Sequence, residues 1–194
     1  MKLYYSPGAC SMAPHIALRE AGETFDLVKV NLRDHTTADG GDFYAINPKG
    51  YVPALTLDDG ETITENIAML DWIAGQAPAL RPGGERGRTH LLEALAYIST
   101  ELHKSFGPFF HGGSDADKAA AGEKIGKRFQ YLADTMQGDY LFGDQFSVAD
   151  AYLFVMLTWA RKMGIAVPDA LATYRDRVAG RESVGEVFVA EGLA

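Results

Sequence analysis

The chain has 194 residues, 47% of them hydrophobic and 23% charged, with one cysteine and a formal net charge of −8. That is enough for one large domain or two modest ones. The acidic balance excludes a general nucleic-acid binder, which needs a basic face to neutralise phosphates. The lone cysteine excludes an internal disulfide framework, a Cys-x-x-Cys redox pair and a zinc site built on thiolates.

A single thiol suits a reducing compartment. The opening segment is too short for a secretory signal, and the most apolar stretch, Ala149 to Trp159, is about half a membrane span. The expectation is a soluble cytoplasmic protein without membrane or nucleic-acid partners. His15, His35, His90 and His111 show no ligand spacing, so no metal site is expected.

In chain order, Lys2–Tyr5 reads as a strand and Pro7-Gly8-Ala9 as a loop. Ser11 to Ala21 has helical spacing, with Gly22 as its stop. Phe25–Val30 is a second strand and Gly41–Ile46 a short helix. Ala54–Leu57 and Thr62–Thr64 form a hairpin across Asp58-Asp59-Gly60. Asn66 to Gly75 is a helix with Ile67, Leu70 and Ile73 in register. The order βαβ–α–ββα begins with a crossover that requires a parallel strand pair.

Pro and Gly then punctuate residues 78–84 as a linker, and from about residue 86 the pattern is helical. Leu91, Leu95, Ile98 and Leu102 predict one helix over 86–106. A second covers 115–137. The most apolar, 147–164, is the expected central helix. Ser147-Val148-Ala149-Asp150 opens it with a Ser-x-x-acid pattern close to a capping box. Pro168 can start the next helix.

Several residue types could carry chemistry. Cys10 directly precedes the first helix, where unpaired N–H groups and the helix dipole favour a thiolate; the expectation there is a lowered thiol pKa. The alternative is a small space-filling hydrophobe. Val52-Pro53 opens a strand, and a cis bond there would turn the Val52 backbone outward to meet an extended peptide. Thr64-Glu65-Asn66 opens a helix, a ready carboxylate site, with Glu65 free to take an ammonium; alternatively Thr64 or Asn66 is a plain N-cap. His103 and Lys104 sit near the end of a long helix, where His103 can act as acid, base or thiolate partner or serve structurally. Phe106, Phe109 and Phe110 are either core or one wall of an apolar pocket.

Five segments in order carry a family resemblance: residues 1–11, the Asn47-Pro48-Lys49-Gly50-Tyr51-Val52-Pro53 run, Thr64-Glu65-Asn66-Ile67-Ala68, Glu101-Leu102-His103-Lys104, and residues 143–150. The chain resembles the cytosolic glutathione transferases, most closely the bacterial beta class, nearly end to end. The resemblance implies an α/β thioredoxin-like domain over residues 1–80, an all-helical domain over 86–194, and a homodimer. It implies glutathione as co-substrate, joined to a small apolar electrophile, with Cys10 and His103 near the glutathione sulfur and Pro53 cis. Tyr5, Ser11, His35, Val52, Pro53, Glu65, Asn66 and Lys104 are the implied glutathione-binding positions, with Glu65 and Asn66 at the γ-glutamyl end. Ser147 and Asp150 become a folding signal. His35 stands where the class often has lysine, and Asn66 where it commonly has Ser or Gly. Two other readings stay open: a monothiol disulfide reductase cycling through Cys10, and a non-enzymatic carrier of apolar ligands.

Overall fold

A computed structural model describes every residue from Met1 to Ala194. Five strands form one mixed sheet: β1 (Lys2–Tyr5), β2 (Asp26–Asn31), β3 (Thr36–Thr37), β4 (Ala54–Thr56) and β5 (Thr62–Thr64). They lie in the order β3-β2-β1-β4-β5. β1 and β2 are parallel, as the crossover through α1 (Met12–Glu20) requires, and the other pairs are antiparallel. Period-two alternation divides the faces. The partners Leu3 and Leu55 point into the main core, while Tyr4 and Ala54, paired next to them, point into a smaller cluster with Val30, Phe43 and Val52.

Helix α1 is short but buried along its length, from Met12 to Leu18. Pro14 is tolerated because it falls in the first turn, where its missing N–H would be an orphan. Gly22, at φ 70°, ends the helix region: the Glu23 N–H returns to the Leu18 carbonyl at 3.0 Å, a closure that favours glycine. α2 (Asn66–Gln76) lies beside α1.

The remainder is helical: α3 (Gly87–Tyr97), α4 (Gly107–Phe110), α5 (Asp115–Thr135), α6 (Val148–Lys162), α7 (Asp169–Ala179) and α8 (Glu182–Glu191). α6 is buried almost all round and packs against α1, so one apolar core joins the sheet's helices to the helical half. No helix is long and apolar enough to cross a membrane.

Three elements differ from the sequence expectation. β3 has only two residues, too few for alternation to register, and exists through pairing with β2. The helix expected over 86–106 is regular only to Tyr97. Ile98–Leu102 then widens into a π turn and His103–Phe106 tightens into a 3-10 turn. Leu91, Leu95, Ile98 and Leu102 are nonetheless fully buried. Hydroxyls back-bond carbonyls at both sides of the break, Thr100 to Ala96 at 2.9 Å and Ser105 to Glu101 at 2.6 Å, competing with the helical ladder. Finally, α8 follows α7 after only Gly180 and Arg181, a break too short to separate two helices in the apolar pattern.

Candidate active site

The loop from β1 to α1 is built to hold its shape. Ser11 is fully buried, and its hydroxyl spans the loop, accepting from the Ser6 N–H at 3.2 Å and donating to the Ser6 carbonyl at 3.3 Å. Gly8 turns with φ 68°, a left-handed conformation that suits glycine. The helical half grips the same residue on both sides. Glu191 accepts from the Gly8 N–H at 2.8 Å, and the Trp159 indole N–H donates to the Gly8 carbonyl at 2.8 Å. The other Glu191 oxygen lies 2.9 Å from Nδ1 of buried His15. Tyr5 packs its ring against His15, at 6.1 Å between centroids. Burial, with the Glu191 charge in second place, raises its phenol pKa. Tyr5 and Ser11 thus shape the loop from beneath.

Cys10 is half-buried at the end of this loop, its thiol 3.5 Å from the Val52 carbonyl, to which it donates. The expectation of a lowered pKa is not met. Burial pushes the thiol up to about 12, the Glu65 charge adds to the rise, and the backbone N–H groups of Cys10 and Ser11 offset only part of it. A helix start favours a thiolate, but desolvation acts on the charged form more strongly. The free protein therefore carries Cys10 as a thiol.

Val52 is buried and joined to Pro53 by a cis peptide bond. The preceding loop is held by Asn47, whose amide donates to the Tyr51 carbonyl at 2.6 Å. His35 reaches the same loop from the far edge of the sheet. Its Nδ1 lies 2.9 Å from the Gly50 carbonyl, so this nitrogen carries the proton, and its ring leans on Tyr44.

Glu65 holds φ 71°, ψ 124°, a sparsely populated conformation for a residue with a side chain. Such geometry costs on the order of 1–3 kcal/mol. Here it accompanies a carboxylate set immediately before α2. Lys49 Nζ donates to it at 2.5 Å and the Tyr51 hydroxyl at 2.6 Å. Those two bonds, Lys49 first, keep its pKa below the usual range, and the charge of exposed Lys104 acts in the same direction. Asn66 is not a cap. It is the first residue of α2, and its amide N–H reaches back to the Cys10 carbonyl at 3.1 Å. Its Oδ1 is buried without a partner. One hydrogen bond thus joins the start of α2 to the start of α1, and two positive helix ends converge beside Cys10.

From the helical half, the π turn ends at His103; π turns recur at functional sites. His103 Nδ1 lies 2.6 Å from the hydroxyl of Tyr152 on α6, and Trp159 meets its ring edge to face at 5.0 Å. Burial, then the Lys104 charge, lowers the imidazole pKa to about 4. His103 is therefore neutral at neutral pH in the folded state. Since the unfolded chain takes this proton near pH 6.5, the contribution is intact at pH 7 and lost as pH falls from about 6.5 toward 4. Between pH 7 and pH 5 the native protein is expected to lose about 2 kcal/mol more stability than His103→Asn. Urea unfolding at both pH values checks this, and equal losses would refute it.

Phe106 is fully buried core, while Phe109 is half-buried and Phe110 exposed, its ring 4.7 Å from Trp159. Of the three phenylalanines, only the last two can face a bound molecule. Lys49, Tyr51, Tyr152 and Trp159 were not singled out from the sequence. The first two lie inside the 47–53 motif, which signalled them. The other two are hidden in the apolar pattern of α6.

Residues 8–85 match the family model described as glutathione S-transferase, N-terminal domain, and residues 95–182 match glutathione S-transferase, C-terminal domain. Glutathione S-transferase GstA of Escherichia coli O157:H7 is 40% identical, with 100% of both chains covered. A sphingomonad glutathione S-transferase solved in complex with glutathione is 48% identical with a TM-score of 0.92, again with 100% of both chains covered. A bacterial beta-class enzyme of Sphingomonas chungbukensis is 46% identical with a TM-score of 0.91 over 100% of both chains.

Proposed function

Because the chain belongs to the glutathione S-transferase family, we propose that it joins the glutathione sulfur to small apolar electrophiles, with Cys10 and His103 stabilising the thiolate. The observation that carries this reading is the meeting of two helix starts and the strained Glu65 carboxylate around Cys10.

In this reading Glu65 takes the γ-glutamyl ammonium, exchanging it for the Lys49 ammonium. The free N–H groups at the start of α2, with Asn66, take the adjoining carboxylate. The Val52 backbone, fixed by cis Pro53, pairs with the extended peptide. His35 and Lys104 flank the two ends, and Tyr5 and Ser11 act through the loop they support. With the Val52 backbone engaged by the peptide, Cys10 turns its S–H from the Val52 carbonyl to the ligand sulfur and acts there as a hydrogen-bond donor. Lowering the ligand thiol from about 9 to about 7 requires roughly 2.7 kcal/mol, a magnitude that two or three charge-assisted hydrogen bonds supply. Phe110, whose ring meets Trp159 at 4.7 Å, forms an apolar wall for the electrophile. The reading includes a cytoplasmic homodimer, with residues 1–80 holding glutathione and residues 86–194 shaping the second pocket.

The test is conjugation of a chloronitrobenzene by the native protein and by Cys10→Ala. The variant is expected to keep activity within about tenfold, because it loses one neutral donor worth about 1 kcal/mol. Iodoacetamide is expected to label native Cys10 at least about a hundredfold more slowly than free cysteine at pH 7.5, since thiolate is the reacting form. Absence of conjugation, together with a stable Cys10–glutathione disulfide, would replace this reading with the monothiol reductase.

A further inference from the structure

Tyr152 sits at the middle of the protein. It is 1% exposed, on the most deeply buried helix, and its hydroxyl lies 2.6 Å from Nδ1 of His103. The two rings meet edge to face, 5.9 Å apart at 88°. Trp159, further along α6, covers the imidazole from another side at 5.0 Å. The imidazole is clamped by two aromatic side chains of one helix, so its orientation is set by α6 as much as by the 3-10 turn that carries it.

A neutral imidazole has one nitrogen that donates and one that accepts, and the partner of either fixes the role of the other. Between a phenol and an imidazole the direction follows from acid strength. The phenol is the stronger acid and the imidazole nitrogen the stronger base. A separation as short as 2.6 Å therefore suits O–H···N, since N–H donors to oxygen sit nearer 2.9–3.0 Å.

We propose that Tyr152 is a positioning residue: its hydroxyl donates to Nδ1 of His103 and holds the ring as the Nε2–H tautomer, so that His103 offers the glutathione sulfur a donor and not a base. This rests on the reading of His103 as the group that approaches the sulfur from the helical half.

The surroundings agree with a neutral pair. Burial raises the Tyr152 phenol, the Glu65 charge acts the same way, and the Asn66 and Ser99 side chains pull against them. On the imidazole, burial and the Lys104 charge act against protonation. A protonated phenol and a neutral imidazole are the forms that the proposed bond requires. Cys10 and His103 would then both present hydrogens to one sulfur, which is the arrangement that favours thiolate over thiol.

Tyr152→Phe removes one oxygen and leaves the ring packing. The pH at which bound glutathione ionises, read from thiolate absorbance, is expected to rise by about half a unit to one unit. At pH 6.5 the turnover rate should fall about three- to tenfold, with the glutathione KM within about twofold and the alkaline plateau retained. An unshifted profile overturns the proposal. His103→Leu, which leaves no donor at that position, separates the two levels. If it too leaves the profile unshifted, the role of His103 at the sulfur fails; if it shifts the profile and Tyr152→Phe does not, only the tautomer assignment fails. Nitrogen NMR of native His103 gives a readout independent of any variant's folding: an unprotonated Nδ1 with a protonated Nε2 is expected, and the reverse overturns the assignment.

Discussion

Replacing Asp150 by alanine is expected to lower the free energy of unfolding by about 3 kcal/mol, the sum of a lost helix cap of about 1 and buried donors left without an acceptor, about 1–3. Asp150 is fully buried at the first turn of α6. Its Oδ2 accepts from the Ser147 N–H at 2.8 Å and the Ser147 hydroxyl at 2.5 Å. Its Oδ1 accepts from the Leu141 N–H at 2.9 Å and the Tyr174 hydroxyl at 2.8 Å. Burial alone pushes this carboxyl upward, and the four donors pull the other way. One side chain thus ties the loop before α6, the start of α6 and the middle of α7. For a chain of this length the melting temperature should drop by roughly 6–12 °C. Chemical unfolding followed by circular dichroism checks the value. A loss below about 1 kcal/mol would show that water or a neighbouring acceptor replaces the carboxylate.

The second large effect is on binding. Glu65→Ala is expected to weaken glutathione affinity by about 10- to 100-fold, the equivalent of one charge-assisted contact of about 1.5–3 kcal/mol. The carboxylate is ionised, held by Lys49 and Tyr51, and about half exposed, so a ligand ammonium has access to it. Backbone strain allows a second comparison. Alanine at φ 71° is as strained as glutamate, whereas glycine is not. Glu65→Gly should therefore unfold at about 1 kcal/mol higher free energy than Glu65→Ala, while both bind glutathione poorly. Calorimetric titration and urea unfolding separate the two effects. Retained affinity in both variants would remove Glu65 from the γ-glutamyl site.

The sequence carried most of the architecture because its signals are local. Asp59-Gly60 closes the β4–β5 hairpin, Gly22 stops α1, and Ser147 and Asp150 cap α6, each within a few residues. What stayed hidden depends on distant neighbours. Cys10 has the helix-start position that lowers a thiol pKa, yet Val52 and Glu65, remote in sequence, give it a surrounding that raises it. Asn66 has the composition of a cap, but its amide is drawn across to Cys10. Tyr152 lies in a run so apolar that its one polar atom leaves no mark on the pattern, and only the fold brings His103 to it. The π turn is invisible because its buried Ile98 and Leu102 keep ordinary helical spacing.

The grip on Gly8 has a consequence for synthesis. Its two partners, Trp159 and Glu191, stand 151 and 183 residues further along the chain. Chains emerge amino end first, and early domains generally fold as they appear. The strands of the first half can pair while translation continues, but the amide of Gly8 must wait until Glu191, 183 residues later, has left the ribosome. The segment that bears Cys10 is made well before the residues that set it in place.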